Sequence, residues 1–119
     1  MNISYVWLYV RDTGSSLRWY RDVLGLPVVE TFPHGALFQA GDVLLGVHRE
    51  EGERNAHPGS TIIIWNVVDI ESTYKRLSKN GVVFEGQIRD EPYGRIVEFR
   101  DPDGYVFEIV QKSLDSRGP

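Results

Sequence analysis

"RDTGSSLRWYRDVLGLPVVE", residues 11–30, is the segment that decides the fold. Its first half predicts a helix, because apolar residues recur at helical spacing behind Asp12, Thr13 or a nearby serine as the N-terminal cap. Gly25 ends that helix, since glycine readily takes the left-handed conformation that follows a helix. The β-branched run "LPVVE" then predicts a strand. The segment therefore predicts a helix followed by a strand.

The same unit returns later in the chain. "VVDIESTYKRLSKNGVVFE", residues 67–85, has the same order of features, with Asp69 standing 57 residues after Asp12 and Gly81 in the place of Gly25. The strand patterns around the two units are "ISYVWLYV", "GALFQAG" and "DVLLGVHRE" in the first half, and "TIIIWNV", "GRIVEFR" and "YVFEIVQ" in the second. A repeat of this size indicates two supersecondary units.

The repeat predicts an α+β fold made of two βαβββ modules. We expect one domain over residues 1–119, with module one at 1–50, a linker at 51–59, module two at 60–112 and a polar tail at 113–119. The strand after the second helix is predicted at "VVFEG", and "RDEPYG" is predicted to be a loop.

Composition restricts the classes of function. The 119 residues carry 13 basic and 17 acidic side chains, for a formal net charge of −4. An acidic chain without a basic run is a poor binder of nucleic acid, whose affinity depends on neutralising phosphates. The absence of cysteine excludes thiolate catalysis and cysteine-ligated metals. Since no apolar run approaches the roughly 18 residues of a membrane span and no secretory signal is present, we expect a cytoplasmic protein without membrane or nucleic-acid partners.

Three stretches resemble motifs of the vicinal oxygen chelate superfamily, which contains glyoxalase I, fosfomycin resistance proteins, extradiol dioxygenases and bleomycin resistance proteins. They are "SLRWYRDVLGLPVV", "VVDIESTYKRLSKNGVVF" and "GRIVEFRDPDGYVFEI", and the resemblance covers residues 3–111. It implies the glyoxalase/bleomycin resistance/dioxygenase fold, in which the curved mixed sheets of the two modules enclose a cleft. Whether the cleft closes within one chain or by exchange across a homodimer stays open.

Metal-dependent members of that superfamily hold a divalent metal at four strand positions, usually with His, Glu or Gln. By resemblance these positions fall on Tyr5, Ile62, Glu108 and Gly46, or Leu45 if the register differs by one residue. Aliphatic side chains do not coordinate metals and glycine offers only a carbonyl, so Glu108 is the family ligand position that is retained. We therefore expect no cofactor, and a divalent metal (Zn, Ni, Mn or Fe) only if the chain is an enzyme.

Alternation along the strands predicts which side chains line the cleft, because successive residues point to opposite faces of a sheet. The loop before "GRIVEFR" also borders the cleft opening in many members of the superfamily. The predicted ligand-binding residues are Tyr5, Trp7, Tyr9, Gly46, His48, Ile62, Ile64, Tyr93, Arg95 and Glu108. Tyr5 and Trp7 would form an aromatic wall suited to planar or cationic compounds. The alternative is that these aromatic residues fill a closed core.

Two other features have a structural interpretation. "DPDG", residues 101–104, predicts a turn in which aspartate side chains bond to the local backbone. Glu98 lies on a predicted strand, where it could share a face with Arg95 or Arg100 and form a surface ion pair.

These observations favour a metal-free small-molecule binding protein that resembles bleomycin resistance proteins, which are acidic homodimers that sequester a drug without changing it. Glu108 would then contact a cationic group of the ligand or a basic side chain. The alternative is an enzyme of the same superfamily, a metal-dependent lyase, isomerase or dioxygenase, in which Glu108 is the candidate catalytic residue.

Overall fold

The computed structural model describes residues 1–113, and the chain divides after His57 into two compact units. Each unit contains a four-stranded mixed sheet and a helix, in the order βαβββ. The predicted α+β fold of two βαβββ modules is therefore confirmed. Neither sheet closes into a barrel. No helix within residues 1–113 is long and apolar enough to cross a membrane.

The first unit builds its sheet in the order β1-β4-β3-β2. Its elements are β1 (Tyr5–Val10), α1 (Thr13–Arg18), a π-helical turn (Trp19–Val23), β2 (Val28–Phe32), β3 (Gly35–Ala40) and β4 (Val43–Arg49). β1 runs parallel to β4, and β3 is antiparallel to both of its neighbours. The parallel pair follows from the connection, because a chain that crosses over through a helix can return in the same direction.

Asp12 starts the first helix as predicted, since its carboxylate accepts a hydrogen bond from the Ser15 backbone N–H at 2.9 Å. The predicted helix is present along the whole stretch, but its second half is π-helical rather than α-helical. There the Leu24 N–H donates to the Trp19 carbonyl at 3.0 Å, a bond that spans five residues. Gly25 follows with a φ of 83°, the left-handed conformation that a terminating glycine supplies.

The second unit repeats this arrangement with the sheet order β5-β8-β7-β6. Its elements are a short 3₁₀ turn (Pro58–Ser60), β5 (Ile62–Asn66), α2 (Ile70–Lys79), β6 (Glu85–Glu91), β7 (Gly94–Arg100) and β8 (Val106–Lys112). Asp69 caps α2 by accepting from the backbone N–H groups of Glu71 and Ser72. The spacing between Asp12 and Asp69 thus marks the same structural position in each unit.

The strand predicted at "VVFEG" is wrong in its bounds. β6 begins at Glu85 and extends to Glu91, through the first half of the stretch "RDEPYG" that was predicted to be a loop. Its sequence, "EGQIRDE", lacks alternating apolar residues because β6 lies at the edge of the sheet and most of its side chains are exposed. Gly86, with a φ of 84°, accompanies an irregular pairing between β6 and β7.

The helix of each unit covers one face of its own sheet. In the first unit, Tyr20 is fully buried, with its ring 5.4 Å from that of Phe38 on β3. In the second, the Ile70 N–H at the start of α2 donates to Gln111 Oε1 on β8 at 2.9 Å. The side chains under the helices are buried, among them Leu8, Val10, Phe38, Leu45, Val47, Val97, Phe99, Phe107 and Ile109. The opposite face of each sheet carries the candidate functional residues.

Candidate functional site

The first unit gathers five rings on the sheet face opposite its helix. Strand pairing places Trp7 beside Gly46, Tyr9 beside His48 and Phe32 beside Gly35, and Gly35 is in turn the partner of His48. Partnered residues point to the same face, so these side chains converge. The group that we call the aromatic cluster consists of Trp7, Tyr9, Phe32, His34 and His48.

His48 lies at the centre of the aromatic cluster. Its ring centroid is 5.6 Å from that of Trp7, 5.3 Å from that of Tyr9 and 4.6 Å from that of His34. The His48 Nδ1 atom is 2.7 Å from the Arg49 carbonyl oxygen, a hydrogen bond that requires the proton on Nδ1. The Nε2 atom is 4.0 Å from a carboxylate oxygen of Glu51. His48 therefore has a fixed ring orientation within the cluster.

Trp7 lies flat over Gly46. A β-carbon built at Gly46 would stand 2.5 Å from both Cε3 and Cζ3 of the indole and 3.0 Å from Cδ2. The ring of Phe32 flanks the indole, with centroids 5.9 Å apart, and Trp7 remains half-buried. Tyr5, two residues earlier on the same face, is 55% exposed. This face thus presents aromatic surface to the outside.

The register settles which residue of β4 belongs to this face. Gly46 is the partner of Trp7, whereas Leu45 points to the helix side and is 4% exposed. Of the two candidates that the sequence analysis left open, Gly46 and Leu45, it is therefore Gly46 that lies on the face of Trp7.

The second unit carries carboxylates on the corresponding face. Glu85, Glu98 and Glu108 lie side by side on three neighbouring strands, and Ile64 continues the line on the fourth. We call Glu85, Glu98 and Glu108 the carboxylate row. Glu108 is half-buried, which answers how a glutamate fits into the apolar strand "YVFEIV": its side chain leaves the core on the face opposite α2.

Two glutamates of the carboxylate row, Glu85 and Glu98, have pKa values shifted in opposite directions. The hydrogen bond with Glu85 raises the pKa of Glu98, and burial and the negative charges of Glu85 and Glu108 raise it further. The same hydrogen bond lowers the pKa of Glu85, assisted by Arg100, whose Nε donates to Glu85 at 2.9 Å. A positive group that approached this face would favour the charged form of Glu98 and so oppose the increase in its pKa. The row is therefore suited to contact with a cation.

Glu98 differs from its predicted role. It shares a face with Arg100, as one of the two predicted arrangements has it, but its hydrogen-bond partner is Glu85. The guanidinium of Arg100 pairs with Glu85 instead. The sequence suggested an ion pair for Glu98 because β7 also carries Arg95 and Arg100. The pairing of Glu98 with Glu85 was missed, since β6, the strand that carries Glu85, was predicted only in part.

Ile62 and Ile64 also lie on the open face of the second unit, where they are 51% and 45% exposed. Ile62 borders a shallow cavity of about 310 Å³ at the start of β5. The other residues that line the cavity are Gly59, Ser60, Thr61 and Val106. This face therefore combines apolar surface with the carboxylate row.

Two of the predicted ligand-binding residues lie elsewhere in the second unit. Arg95 points to the helix side of the sheet, where its guanidinium pairs with Glu71 of α2 at 3.3 Å and with Asp90 at 3.2 Å. Tyr93 lies in the two-residue turn between β6 and β7, and its carbonyl accepts from the Ser113 N–H. The structure thus does not bring Arg95 onto the face of Glu108.

Sequence reasoning missed four residues of these two faces. Phe32 and His34 join the aromatic cluster through the β2–β3 hairpin, and Glu85 and Glu98 join Glu108 through pairing across three strands. The signal for Phe32 and His34 was the tight spacing of "FPHG" before a strand, which predicts a hairpin turn. For the glutamates the only signal would have been the strand register.

The residues at the family's metal positions do not fit a metal ion. Tyr5 and Ile62 are exposed, and Ile62 is aliphatic. A metal-binding side chain at position 46 would need the space that the Trp7 indole fills. Within residues 1–113, no three His, Cys, Asp or Glu side chains are grouped so that they could hold a metal. Glu108 alone offers a suitable side-chain ligand at these four positions.

Comparison with known proteins agrees with this architecture. In sequence, the chain is 30% identical over 127 residues to protein YraH of Bacillus subtilis, with 93% of this chain and 98% of YraH covered. It is 29% identical over 124 residues to the metallothiol transferase FosB of Staphylococcus saprophyticus, with 98% and 80% covered.

In structure, the chain is similar to TnmS3, an antibiotic binding protein from Streptomyces sp. CB03234, with a TM-score of 0.79, 22% identity and coverage of 95% and 97%. The family model of the Glyoxalase/Bleomycin resistance protein/Dioxygenase superfamily matches residues 2–109. That match extends over both βαβββ units as far as residue 109, and so includes the part of β8 that carries Glu108. The chain belongs to the Glyoxalase/Bleomycin resistance protein/Dioxygenase superfamily.

Proposed function

We propose that the protein is a metal-free small-molecule binding protein that sequesters aromatic or cationic compounds. The observation that carries the proposal is the half-buried Trp7 indole, which lies over Gly46 and is flanked by Phe32 and His48. Indole offers a large, rigid stacking surface at a small cost in conformational entropy. Such a surface supports recognition of flat ring systems.

The carboxylate row supports the cationic part of the proposal. Three glutamates of this face lie beside Arg100, whose charge is taken up by Glu85. The strand register also places Arg89 and Lys112 on this face, but nearer the β6–β7 turn, where Arg89 lies 3.8 Å from Glu91. Glu108 is thus left to meet a positive group on a ligand. The adjacent Ile64 offers apolar contact beside that charge, an arrangement typical of small-molecule sites.

Binding of this kind acts by mass action. A protein that holds a toxic compound lowers its free concentration in proportion to affinity and protein concentration, with no bond made or broken. Among proteins of similar fold, TnmS3 is an antibiotic binding protein. For the present chain, the ring and carboxylate chemistry of the two faces supports such a role.

The alternative is an enzyme of the same superfamily. The retained Glu108 and the 29% identity to the metallothiol transferase FosB favour it. In an enzyme, Glu108 would serve as a metal ligand or as a base. The residues present at Tyr5, Gly46 and Ile62 speak against the metal-dependent form.

Metal content separates the two functions. Protein purified without chelator and dialysed is expected to contain well under one equivalent of Zn, Ni, Mn, Fe or Co per chain by mass spectrometry, because one carboxylate does not hold a first-row ion against water. A protein purified the same way after Glu108→Gln substitution is the control for adventitious metal. A stoichiometric metal that disappears in that variant would contradict the binding function and favour the enzyme.

Glu108→Gln is expected to weaken the binding of a cation while leaving the fold intact. The probe is 1-adamantylamine, an aliphatic ammonium ion, titrated by calorimetry. Loss of one charge contact worth about 1.4 kcal/mol corresponds to a tenfold weaker affinity. The free energy of unfolding should change by less than ~1 kcal/mol, because Glu108 is half-buried and glutamine keeps its shape.

Glu53→Gln is the matched control, because it also removes one negative charge. Glu53 is exposed and lies in the segment that connects β4 to β5. This variant should leave the affinity for 1-adamantylamine unchanged. A large loss of stability in Glu108→Gln without any change in affinity would mean that Glu108 has a structural role and that the carboxylate row is not a binding surface.

We further propose that the protein is a homodimer. Within each sheet the outer strands, β1 and β2 or β5 and β6, have a neighbour on one side only. Strand edges of this kind are stabilised when another chain covers them. Sedimentation equilibrium at micromolar concentration is expected to give about twice the 13.6 kDa chain mass. A mass equal to one chain would contradict the dimer.

A further inference from the structure

The two units place different residue pairs at one equivalent register position. In the first, Trp7 on β1 is the partner of Gly46 on β4; in the second, Ile64 on β5 is the partner of Glu108 on β8. A bulky ring stands against glycine in one unit, and a smaller side chain stands against glutamate in the other. The space above β4 at position 46 is thus filled by a side chain from the neighbouring strand.

Gly46 has no conformational need to be glycine. Its backbone does not have the positive φ that marks seven other glycines of the described chain, and it lies in the interior of a regular strand. Glycine in such a place weakens a strand, because it adds backbone entropy to the unfolded state and no side-chain packing. Its conspicuous feature is contact with an indole: a β-carbon at this position would overlap two ring atoms of Trp7 at 2.5 Å.

Two other rings contact the indole, and neither of them is parallel to it. The His48 ring is nearly perpendicular to it, at an interplanar angle of 88°, and the Phe32 ring is tilted against it by 58°. If a methyl group occupied position 46, the indole would have to rotate away from β4, because β-carbons essentially never approach ring carbons below 3.0 Å. The flat orientation of the ring therefore depends on the missing side chain.

We propose that Gly46 is a positioning residue for Trp7: it seats the indole flat on β4 and thereby gives the protein its preference for flat aromatic compounds over aliphatic cations. This inference rests on the proposed binding function and names the ligand class of the aromatic face. Position 46, where metal-dependent members of the superfamily carry a metal ligand, here carries a glycine that supports the indole of Trp7 for stacking.

The test compares two amines. 9-Aminoacridine is a flat tricyclic cation, and 1-adamantylamine is a globular aliphatic cation of the same charge. Gly46→Ala is expected to weaken 9-aminoacridine binding about tenfold and to leave 1-adamantylamine binding unchanged. In ¹H–¹⁵N spectra, the Trp7 indole N–H peak, assigned by its loss in Trp7→Phe, should move in Gly46→Ala even without a ligand.

Gly14→Ala in α1 is the matched control, since its new methyl group makes only ordinary contacts, at 3.4 Å or more. It should change neither the affinities nor the Trp7 peak. In a Trp7→Ala background, Gly46→Ala should have no further effect on 9-aminoacridine binding, because residues that act through one another are not additive.

Several results would overturn the inference. One is a Gly46→Ala protein whose affinity for 9-aminoacridine is unchanged, and another is a Gly46→Ala protein that binds both amines more weakly by the same factor. A third is a Gly46→Ala substitution that lowers 9-aminoacridine affinity as much in the Trp7→Ala background as in the wild type. If Gly46→Ala does not fold, the double variant Trp7→Ala/Gly46→Ala decides the question. It should fold, since no indole then competes for the space at position 46. Failure of the double variant to fold would contradict the proposed role of Gly46 in positioning Trp7. If the wild-type protein binds neither amine, the proposed function itself is wrong. The Trp7 peak would still show whether Gly46 sets the orientation of the indole.

Discussion

Replacing Asp101 by alanine is expected to lower the free energy of unfolding by about 2–4 kcal/mol, because two hydrogen bonds to a buried carboxylate are lost together. Asp101 is 5% exposed, and its Oδ1 accepts from the backbone N–H of Asp103 at 2.9 Å and of Tyr105 at 2.8 Å. Removing the carboxylate leaves both N–H groups without their acceptor in a place that water reaches poorly.

Urea denaturation followed by circular dichroism measures this change, with a shift of the midpoint at constant slope. Asp101→Asn is the matched variant: it keeps an oxygen acceptor, loses the charge and should therefore lose about half as much stability, since charge-assisted hydrogen bonds are roughly twice as strong as neutral ones. An Asp101→Ala protein within ~0.5 kcal/mol of the wild type would show that the turn is held by other contacts.

The turn matters for function because it begins β8. The Asp101 N–H donates to the Tyr105 carbonyl at 3.1 Å, which closes the loop directly before the strand that carries Glu108. A loosened turn would shift the start of β8 relative to β7 and with it the carboxylate row. Cation binding by Asp101→Ala should therefore weaken along with stability.

The fold was predictable from sequence because its strongest signals are local. Asp12 and Asp69 begin helices at corresponding positions, and each cap needs only a short side chain close to the first turn. Alternation in "ISYVWLYV" assigned Leu8 and Val10 to the helix side and Trp7 to the other, which the burial of these residues confirms. Such patterns depend on neighbours within a few positions.

The parts that sequence missed depend on distant partners. β6 could not be placed from its own residues, because an exposed edge strand has no apolar alternation and Gly86 interrupts its pairing. The carboxylate row required the register of three strands, and the π-helical turn at Trp19–Val23 required packing that brings Tyr20 onto Phe38. Arg95 was predicted to contact the ligand, whereas alternation along β7 places it on the helix side of the sheet. There it pairs with Glu71 on α2, a partner that is distant along the chain.

The aromatic cluster lies between these cases. Trp7 and Tyr9 were predicted from alternation, and His48 from its position two residues beyond Gly46. Phe32 and His34 enter only because the hairpin folds β2 back onto β3, with Phe32 paired to Gly35. The contact of Trp7 with Gly46 was invisible in the sequence, since it is a property of two strands that are distant along the chain.

Trp7→Ala is expected to weaken 9-aminoacridine binding about a hundredfold, the loss of somewhat more than 2 kcal/mol that a central tryptophan contributes at a binding surface. The indole is the half-buried ring that lies flat on β4, and alanine would leave neither its stacking surface nor its contacts with Phe32 and His48. The change in probe fluorescence anisotropy on titration measures the affinity.

Trp19→Ala would be a poor control for this experiment, because Trp19 packs its ring 5.0 Å from that of the buried Tyr20. Trp7→Phe is the better one, since it keeps an aromatic ring with less area and should lose about tenfold in affinity. Far-ultraviolet circular dichroism should show both variants folded, because Trp7 lies on the face opposite the helix-covered core. Unchanged affinity in Trp7→Ala would mean that these rings only pack against one another, and that flat compounds, if bound at all, are held elsewhere in the protein.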